Sequence, residues 1–297
     1  MITFKDITLE DKEAITSITM NSERKNCDLS FSNLCSWRFM YDTKFAIVDG
    51  FLLFKFYMNN QLAYMMPVGE GDLKKILEAI IDDAASEGES FLMYGVCNNM
   101  KDEIEKLMPG KFCFSSNRDY VDYIYLRTDL AELKGKKFQP KRNHANKFYK
   151  TYTDYEYMPI TADRISECLR LEEEWCKAND CGQQNGLGNE RKSLTYALNH
   201  FDELGLTGGI LYVNGKIAAF TFGMPINHET FGVHVEKADT LIEGAYNIIN
   251  QEFAKHIPEQ FVYLNREEDL GIEGLRKAKL SYQPTILLEK NIARLKG

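Results

Sequence analysis

The sequence contains no apolar run of membrane-spanning length. Its most apolar short run, FLLFKFYM at residues 51–58, carries a lysine and falls far short of the roughly 20 residues that a spanning helix needs. The opening MITFKDITLEDKEAI has neither a basic n-region nor an apolar h-region, so it does not read as a signal peptide. These absences predict a cytoplasmic protein with no membrane span. Histidine is scarce, at 5 residues, and the 7 cysteines form no CxxC pair and no metal-like spacing with those histidines. Zinc-finger and zinc-ribbon readings are excluded, and the expectation is reduced thiols that serve mainly in packing, with no metal. Positive charge is also in deficit. The 36 Lys and Arg stand against 44 Asp and Glu, a net charge of −8, which argues against general DNA or RNA binding by overall charge.

What is present is an ordinary globular composition, 44% apolar and 27% charged over 297 residues. That length suits one large or two ordinary domains with a sizeable core. Against the acidic background one stretch stands out: KGKKFQPKRNHANKFYK at residues 134–150. It reads as a linker that becomes a basic helix over 140–150, because proline is favourable in a first helical turn.

Periodicity predicts helices over Leu9 to Met20 and in FSNLCSWRFM. Three strands follow, KFAIV, FLLFKFYM and QLAYMMPV, separated by the turn pairs Asp49-Gly50 and Asn59-Asn60. A helix (DLKKILEAIIDDAASEG), a strand (FLMYGV), a helix (MKDEIEKLMPG) and a strand (FCFSSNRDYVDYIYL) complete the first half. The second half repeats the order. EYMPI is a strand, two helices follow, and GGILYVNGKIAAFTFGMPI is a hairpin about Asn214-Gly215. Then come the strand ETFGVHVEKA, the helix GAYNIINQEFAKHI, the strand FVYLN, the helix IEGLRKAKL and a last strand QPTILLEK. The expectation is an α+β protein made of two duplicated units, 1–133 and 134–297, each a mixed, mainly antiparallel sheet flanked by helices.

This order resembles the GNAT acyltransferase fold, and two units in tandem resemble the non-ribosomal aminoacyl transferases. The motif NREEDLGIEGLRKAKLSYQP at 265–284, with KRNHANKF at 141–148 and HVEKAD at 234–239, is similar to the phosphatidylglycerol lysyltransferase C-terminal-domain family over nearly the whole chain. The resemblance implies that an acyl donor lies along the strand FGVHVEKA, with its pyrophosphate at the N-terminus of the following helix. There, free N–H groups and the helix dipole suit a phosphate. The loop DTLIEGAY departs from the usual basic residue and spaced glycines. Leu241, Gly244 and Tyr246 stand at those positions, and Gly244 alone keeps a permissive backbone. Val235, Lys237, Ile242, Glu243, Gly244, Ala245 and Tyr246 are therefore the expected donor contacts, joined by Asn265 at the end of the next strand. Lys141, Arg142, Arg276 and Lys279 are the basic groups available to replace the missing phosphate ligands; a solvated interdomain helix is the plainer reading of the basic stretch. A bulky residue at Gly244 is expected to remove donor binding and keep the fold.

Amine acylation needs a base and an acid. Glu236 is the expected base and His234 a second candidate; lying two apart, they should share one strand face. Tyr282 is the expected acid for the leaving thiolate, with Tyr246 in reserve. Each also has a structural reading, as an ion-paired carboxylate, a packed histidine and core aromatics. The acidic group Glu267, Glu268 and Asp269 either selects a cationic acceptor or caps the next helix. Trp175 with the loop CGQQNGLGNE is a candidate acceptor wall. Three functions follow. The first, favoured by two modest basic clusters and no long basic surface, is an N-acyltransferase that moves an acyl group from a coenzyme A thioester to an amine acceptor. The second is an aminoacyl transferase using aminoacyl-tRNA, as the resemblance implies. The third is a GNAT-like binding protein without catalysis. Salt separates them, since RNA binding weakens steeply with salt and coenzyme A binding less so.

Overall fold

The computed structural model describes residues 2–178 and 185–296. The chain is α+β, as predicted, with two large sheets. In the first, the spatial order is Lys5–Asp6, Lys44–Val48, Phe51–Met58, Gln61–Met65, Leu92–Val96, Asn291–Leu295 and Phe112–Ser116, with Val68–Gly69 paired to Phe51–Met58. In the second it is Ile286–Leu288, Asp122–Leu126, Tyr263–Asn265, Thr230–Ala238, Lys216–Pro225, Thr207–Val213 and Tyr155–Pro159. The pairings are antiparallel except Gln61–Met65 with Leu92–Val96, and Thr230–Ala238 with Tyr263–Asn265. Each parallel pair is bridged by a helix, Leu73–Ser86 in the first sheet and Ala245–His256 in the second, as parallel strands require.

The three predicted hairpin turns form where their residues allow left-handed backbone. Asp49 and Gly50 have φ of 48° and 83°, Asn59 and Asn60 have 53° and 62°, and Asn214 and Gly215 have 52° and 70°. Both central residues of each pair are in the region a tight primed turn demands. The basic helix forms as Gln139–Thr151, with Pro140 in its first turn.

The two halves share strands. Asp122–Leu126 pairs with Tyr263–Asn265 and Ile286–Leu288 in the second sheet, although it precedes residue 133. In exchange, Asn291–Leu295 sits between Leu92–Val96 and Phe112–Ser116 in the first sheet. The predicted last strand QPTILLEK therefore stops at Leu288, and the chain crosses to the other sheet through the buried Lys290. The largest core also joins the halves. Ile7, Phe31, Phe45 and Phe54 pack in one cluster with Leu198, Phe220 and Phe222. Beyond it, Leu77 and Ile80 of the helix Leu73–Ser86 close the far face of the first sheet. Ile248, Ile249 and Phe253 of the helix Ala245–His256 close that of the second.

Candidate functional site

Thr230–Ala238 and Tyr263–Asn265 pair only through residues 230–232 and 263–265. Past that point the ladder ends, and the space between the two chains, the wedge, is bridged by the Glu236–Arg266 pair. The strand Thr230–Ala238 is also bulged: Phe222 opposes Val235 and Gly223 opposes Val233, so His234 is the extra residue. A bulge resets which side chains face which way. Val233 packs toward the helix Ala245–His256 with Phe253, whereas Val235 joins the core shared with the first half. His234 and Glu236 consequently do not share a face, contrary to the period-two expectation.

His234 turns to the first half. Its Nε2 lies 2.7 Å from Ser30 Oγ, and its Nδ1 lies 2.7 Å from Glu267 Oε1, which also accepts from Asn33 Nδ2 at 2.8 Å. Ser30 is fully buried and the His234 side chain is 4% exposed. Glu267 holds its place with φ of 57°, fixed by its N–H donating to Asn265 Oδ1 at 2.7 Å. A non-glycine residue there stores strain, of order 1–3 kcal/mol.

Glu236 turns to the opposite side, into the wedge. Its Oε2 accepts from Arg266 Nε at 2.9 Å and pairs with Nη2 at 2.8 Å. Burial works against the Arg266 charge, and Glu236 together with Tyr125 and Tyr282 outweighs it, so the guanidinium is held above its ordinary value. Two buried atoms beside this pair have no hydrogen-bond partner among the described residues: Arg266 Nη1 and Asn250 Oδ1. Two cations lie against the Tyr282 ring, with Lys141 Nζ 3.9 Å and the Arg266 guanidinium carbon 5.0 Å from its centroid. The Tyr282 hydroxyl donates to Asn247 Oδ1 at 2.9 Å, and burial pushes its pKa up. Lys141 is pulled down to about 8, by burial first and by Arg266 second.

The remaining expected donor contacts are placed as follows. Gly244 caps the helix Ala245–His256 with φ of 89°, and a Cβ there would stand 3.3 Å from Phe148 Cβ. A branched side chain would strain the fold as well as any ligand, which corrects the expectation that Gly244 tolerates one. Ala245 is buried and Ile242 half-buried, both against the Phe148 cluster. Glu243 pairs with Lys147 at 2.7 Å. The Tyr246 hydroxyl accepts from Trp175 Nε1 at 3.1 Å. Lys237 is buried, 3.0 Å from Glu190 and 3.5 Å above the Trp175 ring. Asn265 is fully buried and donates to Lys25 O and Asp122 Oδ2, at 2.6 and 2.7 Å.

Most of the expected phosphate ligands are already bound within the protein. Arg142 ties its helix to Leu133 O, Gly135 O and Gln139 Oε1. Arg276 is clamped by Asp269 and Asp119, each at 2.7 Å. The buried Lys279 donates to the carbonyls of Arg266 and Glu268. Lys141 is the exception: among the described residues no carboxylate lies within 4.0 Å of its Nζ. Part of the proposed acceptor wall, residues 181–184, lies outside the described residues, while residues 185–190 open the helix Asn185–Asn199. Cys176 is disulfide-bonded, which departs from the expectation of thiols throughout.

Sequence reasoning missed the Ser30 and Asn33 contacts to this site. It also missed a buried cluster where the chains cross. Lys290 Nζ lies 2.7 Å from Asp122 Oδ1 and 3.0 Å from Asp28 Oδ2, and it also bonds Glu268. Cys27, Asp122 and Glu268 have ligand-type atoms within 4.8 Å of one another, and the lysine ammonium sits among them. Asp28, Asp122 and Glu268 come from segments more than 90 residues from one another, with Lys290 a further 22 residues beyond Glu268, so no local spacing announces the cluster.

Glu172 makes a measurable prediction. Its side chain is 3% exposed, and its Oε2 is 3.8 Å from Lys237, too far for a hydrogen bond. Burial lifts its pKa to about 7, against the opposing pull of Lys237. The folded state then holds a proton that the unfolded state releases near 4.5, so this group lowers stability as pH rises from about 4.5 to 7. Glu172→Gln removes the effect. Between pH 5 and pH 8 the variant should gain up to about 3 kcal/mol on the parent in denaturant unfolding. Parallel pH profiles for the two proteins would overturn the assignment.

The fold, two mixed sheets flanked by helices, is shared with FemX, which is 9% identical with a TM-score of 0.56 over 99% of this chain and 98% of that one. Residues 19–294 match the family model described as phosphatidylglycerol lysyltransferase, C-terminal, and the chain belongs to that family. A conserved protein of unknown function from Bacteroides thetaiotaomicron VPI-5482 is 68% identical, with a TM-score of 0.98 and full coverage of both chains. L-PGS from Bacillus licheniformis is 16% identical, with a TM-score of 0.67 over 98% of this chain and 92% of that one. An uncharacterized protein of Mycoplasmoides gallisepticum is 22% identical over 59% of this chain, and the match spans 56% of that relative's length. Among the described residues no helix is long and apolar enough to cross a membrane.

Proposed function

We propose that this protein is an aminoacyl transferase. It moves an aminoacyl group from aminoacyl-tRNA to an amine acceptor, with the chemistry in the wedge beside Glu236 and Arg266. The observation that carries this choice of donor is the loop before the helix Ala245–His256, where coenzyme A would place its pyrophosphate. Asp239 and Glu243 make that loop acidic. Three of its amides are engaged, Leu241 N with Asp239 Oδ1 at 2.8 Å, Ile242 N with Asp239 O at 3.1 Å and Ala245 N with Ile242 O at 3.1 Å. A pyrophosphate would meet Asp239 and the Lys147-paired Glu243 there, with fewer N–H donors left to hold it. Family membership supports the same reading.

In the proposed step the acceptor nitrogen attacks the ester carbonyl. A C–N bond forms, the C–O bond to the carrier breaks, and the carrier's hydroxyl leaves with a proton. Glu236 takes the proton from the acceptor nitrogen and passes it to the departing oxygen. The unpartnered Arg266 Nη1 is the donor suited to the developing oxyanion. Exposed lysines of the basic segment, among them Lys136 and Lys150, face solvent where RNA phosphates could lie. The test is binding of aminoacyl-tRNA, coenzyme A and acetyl-CoA by calorimetry at two salt concentrations. The expected result is RNA binding that weakens steeply with salt, and no heat from either coenzyme. Micromolar coenzyme A binding, with RNA silent, would overturn the proposal in favour of an acyl-CoA donor.

A further inference from the structure

Lys141 is unusual among the lysines of the basic segment. Lys134, Lys137 and Lys147 each pair with a carboxylate, at 2.6, 2.8 and 2.7 Å. Lys141 instead reaches inward, to the face of Tyr282. The charged and titratable groups around it can be named element by element. The chain after Tyr263–Asn265 offers Arg266, a second cation over the same ring. The strand Thr230–Ala238 offers Glu236, which Arg266 already engages. The turn after the helix Glu273–Leu280 offers Tyr282, whose hydroxyl is bonded to the uncharged Asn247 of the helix Ala245–His256. On its own helix Arg142 points away, to Leu133 and Gly135. Lys141 is thus a half-buried amine with an aromatic seat, a like-charged neighbour and no carboxylate of its own.

We propose that Lys141 is a nucleophilic lysine at which the protein accepts an acyl group onto its own Nζ. The donor class is an activated acyl ester or thioester. The neutral amine attacks the carbonyl carbon and an amide N–C bond forms. The C–O or C–S bond of the donor breaks, and the amine proton leaves with the departing alcohol or thiol. No oxidant or metal is required. Two forces oppose charge at this nitrogen, loss of water and the Arg266 guanidinium, and only the ring quadrupole favours it. An amine titrating near 8 is neutral in roughly one molecule in ten at pH 7, against roughly one in a few thousand for an exposed lysine. Acylation would leave Arg266 as the one cation of this pair over the Tyr282 ring. This inference does not depend on the donor assigned above, because any activated acyl compound small enough to enter tests it.

The experiment is competitive labelling of the intact protein with limiting N-hydroxysuccinimidyl acetate, read by peptide mass spectrometry from pH 6 to 10. A plain thioester, S-acetyl-N-acetylcysteamine, serves as the second reagent. Lys141 should label at least about 10-fold faster at pH 7 than Lys136 and Lys150 of the same segment, with half-maximal rate near pH 8. Arg266→Gln should slow it and move the midpoint upward, since a neighbouring positive charge is lost. Labelling of Lys141 no faster than Lys136 and Lys150, or a rate still climbing past pH 10, would overturn the proposal. The parent protein alone decides the matter if the Arg266 variant fails to fold.

Discussion

Lys290→Met is expected to destabilise the protein by about 3–5 kcal/mol, the range for removing one partner of a buried ionic cluster. The Lys290 side chain is 6% exposed and that of Asp122 is 0%. Methionine keeps the unbranched apolar stem of lysine as far as Cε but leaves Asp122, Asp28 and Glu268 facing one another without the ammonium. Burial already lifts the pKa of Glu268 to about 7. As that raised value makes the folded state bind more protons between about 4.5 and 7, the contribution of Glu268 to stability falls as pH rises through this window. Without the ammonium the fall should steepen, so the variant's deficit is larger at pH 8 than at pH 5. Chemical denaturation at the two pH values checks both statements. A deficit below about 1 kcal/mol at pH 8 would mean that the carboxylates are satisfied from elsewhere.

The second large effect concerns turnover. Glu236→Gln should leave donor affinity within a factor of a few and lower the transfer rate by about 100- to 10,000-fold, the usual span for loss of a general base. Glutamine can still accept from Arg266, so the guanidinium stays in place and the variant isolates the proton-accepting role. Single-turnover transfer, measured beside donor binding, separates the two contributions. Full turnover in the variant would move the base elsewhere. A matched loss of donor binding and turnover would instead make Glu236 a residue that positions Arg266.

Which of these features the sequence reveals depends on the range of the interaction. Asp49-Gly50, Asn59-Asn60 and Asn214-Gly215 are legible because a turn is decided by two residues and their left-handed backbone. The helix Gln139–Thr151 is legible because Pro140 and an apolar stripe at Ala145 and Phe148 are local too. The strand Thr230–Ala238 is legible as a strand, but its bulge is not. One extra residue at position 234 leaves the composition of the segment unchanged while it sends His234 and Glu236 to opposite sides. The family motif points to Asn265 and Arg266 without saying what they touch. Their partners, Asp122 and Glu236, are set by the meeting of distant segments, and alternation of apolar and polar residues carries no information about that. The same holds for Ser30 and for the contest between Lys290 and its three carboxylates.

The exchange of strands between the two sheets bears on how the polypeptide matures. Asn291–Leu295 lies between Leu92–Val96 and Phe112–Ser116, so the first sheet stays split until residues 291–295 arrive. A ribosome adding about 5–20 residues per second needs roughly ten seconds or more to travel from Ser116 to Asn291. Throughout that interval a nascent chain carries two unpaired strand edges, each able to recruit a wrong neighbour. The two halves must therefore finish together, and the emerging first half is the stage at which a chaperone would have the most to protect.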